Sequence, residues 1–233
     1  FALADGISAL CGTYAVMMAL YHRDAHGAPG QEIDIAIYEP IATLLGPQVL
    51  EFDQLGLVQG RTGNAIPFAA PRNAYRCKDG RWVVVSASAA SIFKRIMQAV
   101  GRADLAEDPR MATQAGRVRH VGELDAAIQD WIGRHTLEET VRHFEQHEGA
   151  LGPIYDVAQY MADPHVQARG SVVRVEDEEL GPLRMQNVIP RLKGTPGAIR
   201  WAGPPKGKHT GEVLRGLGYT QEEMARLREK GVI

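Results

Sequence analysis

An aspartate just ahead of an apolar helical pattern is the group in this sequence whose placement most invites chemistry. Leu3-Ala4-Asp5-Gly6 leads into Leu10, Tyr14, Met17, Met18 and Tyr21, whose three- and four-residue steps predict a helix over about Ser8 to Arg23. Asp5 or Ser8 is placed to cap that helix, which is what an aspartate in this position most often does. The same position also makes an activated anion, because unpaired amides and the helix dipole face it. An ionised carboxylate held there can attack an acyl centre if water is kept out. The residues alone leave both readings open.

Other groups fit their nearest chemistry less well. His143 and His147 share one face of a predicted helix in the segment His-Phe-Glu-Gln-His. Zinc could use that spacing, but the metalloprotease pattern places its glutamate directly after the first histidine, so a solvated helix face is expected. Cys77, beside Lys78, has no identifiable histidine partner. Ser8 and Ser86 lack a G-x-S-x-G setting. Gly203-Pro204-Pro205-Lys206-Gly207-Lys208-His209-Thr210 resembles a phosphate-binding loop, but it is one residue short and its prolines remove backbone donors. It reads as a solvated basic linker. No metal site is expected. His165 is expected to be a structural turn residue, and Trp82, Trp131 and Trp201 to be packing residues.

The elements that must position these groups follow the hydrophobic pattern. After the first helix, Gly27-Ala28-Pro29-Gly30 breaks the chain, Ile33, Ile35 and Ile37 alternate as a strand would, and a second helix covers Tyr38 to about Leu45. Residues from about 48 to 73 carry Gly56, Gly60, Gly63, Pro67 and Pro71 without sustained periodicity, and read as a long connection between domains. Tyr75 to Ser86 reads as a hairpin around Lys78-Asp79-Gly80. Helices are expected near 89–100, 121–134, 137–147 and 156–161, with Thr136 and Glu139 as a capping box. Two strands are expected around Leu180-Gly181-Pro182, and a Pro/Gly-rich stretch then leads to tail helices near 211–217 and 221–230, the second capped by Thr220 and Glu223 and stopped by Gly231. The order is α/β, linker, α+β, linker, helical tail.

Composition narrows the class. The 233 residues carry a net charge of -2, with 45% hydrophobic and 23% charged residues, an ordinary globular profile. Nothing in the charge pattern marks a nucleic-acid or anionic-membrane partner. The apolar-rich stretch Ala9 to Tyr21 is interrupted by Gly12-Thr13 and runs into His22-Arg23-Asp24, short of the roughly 20 residues that span a bilayer. Two cysteines make no disulfide framework, so a reducing cytoplasm is expected. The chain opens with Phe1, with no basic segment or cleavage site of a signal peptide, and is read as N-terminally truncated.

Leu3-Ala4-Asp5-Gly6, Ala19-Leu20-Tyr21-His22-Arg23, Gly27-Ala28-Pro29-Gly30-Gln31 and the segment Glu32 to Ile37 together resemble the family III CoA transferases, the formyl-CoA and carnitine-CoA transferase type. The likeness continues in order through Arg61-Thr62-Gly63-Asn64, Ala70-Pro71, Lys78-Asp79-Gly80-Arg81-Trp82, Gly152-Pro153-Ile154-Tyr155-Asp156, Asp163-Pro164-His165 to Gly170, and Gly207-Lys208-His209-Thr210 to Tyr219. Each motif is modest, and their shared order carries the weight.

The resemblance implies an α/β fold: part of a Rossmann-like large domain plus a small α+β domain, in an interlaced homodimer. Residues 1–50 would belong to the large domain, 51–74 to a linker and 75–190 to the small domain, with 191–233 a linker and helices returning to the large domain. It implies CoA transfer between an acyl-CoA and a small carboxylic acid through an aspartyl anhydride and an aspartyl-CoA thioester. Asp5 would be the nucleophile, with Gly6, Arg61, Gly63 and Asn64 as candidate substrate contacts. Coenzyme A enters as a thioester substrate and no separate cofactor is implied. Most CoA contacts would lie upstream of Phe1. The rival readings are an α-methylacyl-CoA racemase using the aspartate as acid and base, and a non-catalytic fragment that only dimerises.

Overall fold

The computed structural model describes residues 2–233. The chain forms two compact units, divided after Asn64; the division falls inside the 51–74 segment.

The first unit is built on helix α1, Leu3–His26. The helix passes through Gly12 and Thr13, as the predicted helix over about Ser8 to Arg23 requires, although these two residues interrupt the apolar run. An interior glycine costs only about 1 kcal/mol relative to alanine, and the Thr13 hydroxyl donates to Ala9 O at 2.8 Å, the back-bonding a threonine uses inside a helix. Gly27 ends it in the left-handed conformation at φ 63°. The sequence expectation that no stretch approaches membrane-spanning length is therefore corrected: α1 is long and apolar enough to cross a membrane by length and composition.

The predicted strand at Glu32 to Ile37 does not form. These residues have no ladder partner among the described residues, and a strand is defined by its pairing. The segment instead runs against α1, where Ser8 Oγ donates to Ile37 O at 2.9 Å. Ile35 faces Gly12, and a Cβ added at Gly12 would meet its Cδ1 at 3.7 Å. Helix α2, Tyr38–Ala42, continues as a 3-10 turn over Thr43–Leu45, as expected. Helix α3, Gln48–Leu55, lies in the stretch read as an unstructured connection. Its apolar residues Val49, Leu50, Phe52 and Leu55 are exposed, so they gave no buried face to read. Among the described residues of this unit only Pro40 is buried.

The second unit has a core of its own. Strands β1, Arg72–Arg76, and β2, Trp82–Ser86, pair antiparallel as the predicted hairpin, closed by Cys77 N–H to Arg81 O at 2.8 Å. A third strand, β3, Leu151–Ile154, adds to β2 with Trp82 opposite Ile154. Gly152 and Pro153 hid it in the sequence; proline lacks the ladder donor and is tolerated here because β3 is an edge. Helices α4, Ala90–Ala99, α5, Ala103–Glu107, α6, Gln114–Arg119, α7, Val121–Ile132, and α8, Leu137–Gln146, belong to the same unit. The core joins Tyr75, Val83 and Val85 of the sheet to Phe93, Ile96, Leu124, Ile128, Ile132 and Phe144 of the helices.

Helices α9, Val157–Ala162, and α10, Pro164–Ala168, precede the hairpin of β4, Val172–Asp177, and β5, Gly181–Gln186. Tail helices α11, Thr210–Gly216, and α12, Gln221–Glu229, match their expected positions. The capping boxes at Thr136/Glu139 and Thr220/Glu223 both form, and Asp156/Gln159 makes a third.

Candidate functional site

Asp5 lies inside the first turn of α1 and is not its N-cap. That position falls to Ala2, which offers no side-chain bond. The amide of Gly6 already reaches back to Ala2 O at 3.1 Å, while the amides before it belong to the first turn, which an α-helix leaves unpaired within itself. The carboxylate is exposed. It makes no hydrogen bond or ion pair among the described residues, and it lies in the turn whose amides the helix leaves unpaired. An added Cβ at Gly6 would meet nothing within 4 Å, so the chain beside the carboxylate is open to an approaching group. Ser8, one turn on, spends its hydroxyl proton on Ile37 O, a main-chain carbonyl that cannot serve as its general base.

Arg61, Gly63 and Asn64 close the first unit on an exposed stretch. Gly63 has φ 64°, a left-handed turn residue that a glycine adopts without strain. No described hydrogen bond or ion pair joins Arg61 or Asn64 to Asp5; only Gly6 is brought to Asp5, by sequence adjacency.

The remaining candidates have structural duties. Burial pushes the Cys77 thiol up from its ordinary value, with Thr140 Oγ1 3.9 Å from its sulfur, the opposite of what a thiolate nucleophile needs. His143 Nε2 bonds Ala99 O at 2.8 Å and its ring stacks on Trp131 at 4.3 Å. His147 Nδ1 bonds His143 O at 2.8 Å. No cluster of three or more metal-ligating side chains occurs among the described residues. Lys208, in the loop that mimics a phosphate cradle, pairs with Glu178, and both line a cavity of about 290 Å³ with Trp201 and Arg200. Trp131 packs as expected, but Trp82 is 43% and Trp201 59% exposed, which corrects the packing role assigned to those two.

One further group escaped the sequence reading. Arg117 on α6 is 3% exposed and its guanidinium is spent on main-chain carbonyls and Gln114. A lone arginine in a charged stretch gives no sign of burial.

The profile of the CoA-transferase family III matches residues 1–210, and the chain belongs to that family. It is 38% identical over 232 residues to a succinyl-CoA–D-citramalate CoA-transferase of Chloroflexus aurantiacus, covering 99% of this chain and 58% of the relative. It is 36% identical over 234 residues to the beta subunit of a succinyl-CoA–L-malate CoA-transferase of the same organism, again covering 99% and 58%. The chain thus spans a little over half the length of these relatives. Among solved structures, a CaiB/BaiF family protein from Brucella suis superposes with a TM-score of 0.72 at 24% identity, over 92% of this chain and 55% of that one. A Mycobacterium tuberculosis protein gives 0.74 at 21% identity, over 91% and 55%. The fold is that of the CaiB/BaiF group.

Proposed function

We propose that this chain is part of an enzyme that moves coenzyme A from an acyl-CoA thioester to a carboxylic acid, with Asp5 as the nucleophile. The placement of Asp5 carries the reading: a carboxylate in the first turn of the first helix, beside a glycine, in a chain that matches the family from residue 1 to 210. The Asp5 carboxylate attacks the thioester carbonyl, the C–S bond breaks and CoA leaves as thiolate, giving a mixed anhydride. The thiolate then attacks the aspartyl carbonyl of that anhydride, releasing the donor acid as carboxylate and leaving an aspartyl-CoA thioester. The acceptor carboxylate attacks this thioester, expels the thiolate and forms a second anhydride. Attack of the thiolate on the acceptor's acyl carbon yields the new acyl-CoA and restores the Asp5 carboxylate. No electrons change hands, and each anhydride must be shielded from water.

The amides of the opening turn ahead of Gly6, which the helix leaves unpaired, are assigned to stabilise the oxyanion at each addition step; that of Gly6 is taken by Ala2 O. Arg61, Gly63 and Asn64 are assigned to contacts with the acyl or acceptor group. Two relatives bear names with succinyl-CoA as donor and a hydroxy-dicarboxylic acid as acceptor, so succinyl-CoA and a short hydroxy-dicarboxylate are the substrates to try first. That naming favours transfer over the racemase and inert-fragment readings. In the complete assembly, residues 1–50 and 191–233 contribute to a large domain and 75–190 form a small one, in an interlaced cytoplasmic homodimer. That arrangement would cover the exposed apolar residues of α1 and α3.

The deciding experiment incubates the protein, at the length of its relatives, with succinyl-CoA, quenches it and maps the adduct. A hydroxylamine-sensitive mass increase on the peptide carrying Asp5 is expected. An adduct on another peptide, or turnover undiminished in Asp5→Asn, would overturn the assignment.

A further inference from the structure

A buried cation without a counter-ion requires an account, and Arg117 is one. Its Nε donates to Ala70 O at 3.1 Å, Nη1 to Met111 O at 3.1 Å, and Nη2 to Ser88 O at 2.8 Å and to Gln114 Oε1. Four of the five guanidinium N–H groups are therefore used. The flat group also covers the Phe93 ring, with Cζ 4.9 Å from its centroid. No carboxylate faces it among the described residues, and burial pushes it below the usual arginine range. Gly116 beside it lets α6 approach closely, since a Cβ there would strike the Arg110 carbonyl.

The three main-chain carbonyls belong to three separate segments. Met111 ends the 3-10 turn of Pro109–Met111, and Ser88 lies between β2 and α4. Ala70 is where the connection from the first unit becomes buried. Residues 61–64, Pro67 and Phe68 are exposed, whereas Ala69, Ala70 and Pro71 are buried. The Ala70 carbonyl has no strand partner and takes two bonds, both from α6: Arg117 Nε and Gln114 Nε2, the latter at 3.2 Å. Apolar packing cannot satisfy such a carbonyl, and a planar fork with several donors can.

We propose that Arg117 is a positioning residue: it clasps the chain at Ala70 and so sets the fixed end of the exposed stretch that carries Arg61, Gly63 and Asn64. Its catalytic consequence rests on the function proposed above. The clasp itself does not.

Amide hydrogen exchange on this chain, read by mass spectrometry on peptides spanning 61–72, β2 and α7, separates a clasp from general core support. In Arg117→Met, which keeps length and apolar volume, exchange across 66–72 is expected to rise about tenfold or more while β2 and α7 change little. Arg117→Lys keeps the charge but loses the fork and is expected to restore only part of the protection. Gln114→Leu removes the second bond to Ala70 and is expected to give a smaller rise confined to the same peptides, so the clasp stays testable if Arg117→Met fails to fold. An equal rise in all peptides, or none across 66–72 in any variant, would overturn the clasp. In the protein at the length of its relatives, Arg117→Met is expected to lower kcat per folded molecule about tenfold, with KM for the acyl-CoA within about twofold. Unchanged kcat per folded molecule would overturn the positioning role. A parent protein that transfers no CoA would instead sink the function reading, and the exchange result would still decide the clasp.

Discussion

The two units of this chain handle apolar surface in opposite ways. In residues 69–151 of the second unit the large side chains converge: Val83, Val85, Ile96, Leu124, Ile128, Ile132 and Phe144 are all fully buried. In residues 2–64 they do not. Leu10 is 69% exposed, Met18 62% and Leu55 76%, and α1 buries none of its residues. Patches of this kind mark surfaces made to be covered. The proposed nucleophile thus lies on the unit without a core, and the clasp on the unit with one. The chemistry proposed for the first unit depends on what closes over it, whereas residues 69–151 pack around a core of their own; the rest of the second unit, with Leu180 78% and Ile189 80% exposed, resembles the first.

The largest effect that would break this contrast is catalytic. Asp5→Ala is expected to lower CoA transfer on the order of a thousandfold or more and to abolish the trappable adduct, as removal of a covalent nucleophile does. Steady-state transfer rates measure it, and near-normal turnover would move the chemistry off the first unit.

The second test is a pair of truncations followed by urea unfolding of this chain. Phe144→Ala removes a fully buried ring that touches Trp131 edge-on, with centroids 5.5 Å apart, and is expected to cost about 3–5 kcal/mol. Met17→Ala, at a residue 59% exposed, is expected to stay within about 0.5 kcal/mol. Comparable losses would mean the first unit has a core after all.

Thr136→Ala is smaller. It removes the side-chain acceptor for the Glu139 amide at the start of α8, and about 1 kcal/mol of stability in the same measurement is expected to go with it.

The smallest effect sharpens the electrostatics of the second unit. Asp79 accepts from the Leu137 amide at 3.0 Å and pairs with Arg81 at 2.8 Å. The Leu137 amide first, and then Arg81, hold its carboxyl down from 3.8 to about 2. A folded value below the unfolded one means the contribution is complete above the unfolded value and is lost as pH falls from about 4 towards 2. The group is solvent-screened, so no more than about 1 kcal/mol is at stake. Asp79→Asn should flatten the acid limb of stability against pH over that window, and an unchanged slope would assign the acid sensitivity elsewhere.

What could be read from the sequence was local or carried by shared motif order. The hairpin at Lys78-Asp79-Gly80, the caps at Thr136 and Thr220 and the stop at Gly231 each depend on a few adjacent residues, and all formed. The family was legible for a different reason: many weak motifs in one order are hard to produce by chance. Asp5 was singled out as a helix-terminal carboxylate, although its place inside the first turn had to come from the structure. The unmade strand at Glu32 to Ile37 shows the limit, because alternation sets which way side chains point but a strand also needs a neighbour to bond.

The sequence by itself thus determined the periodic helices, the turns, the caps and the family, since these follow from backbone preferences and the spacing of residue types along the chain. Only the tertiary structure decided that β3 joins β2, that the segment Glu32 to Ile37 lies against α1 instead of pairing as a strand, and that Arg117 is buried beneath Ala70. Each of those depends on groups far apart in sequence meeting in space: Arg117 and Ala70 are separated by 47 positions. The free energy that holds them is a property of the contact and appears in neither residue alone.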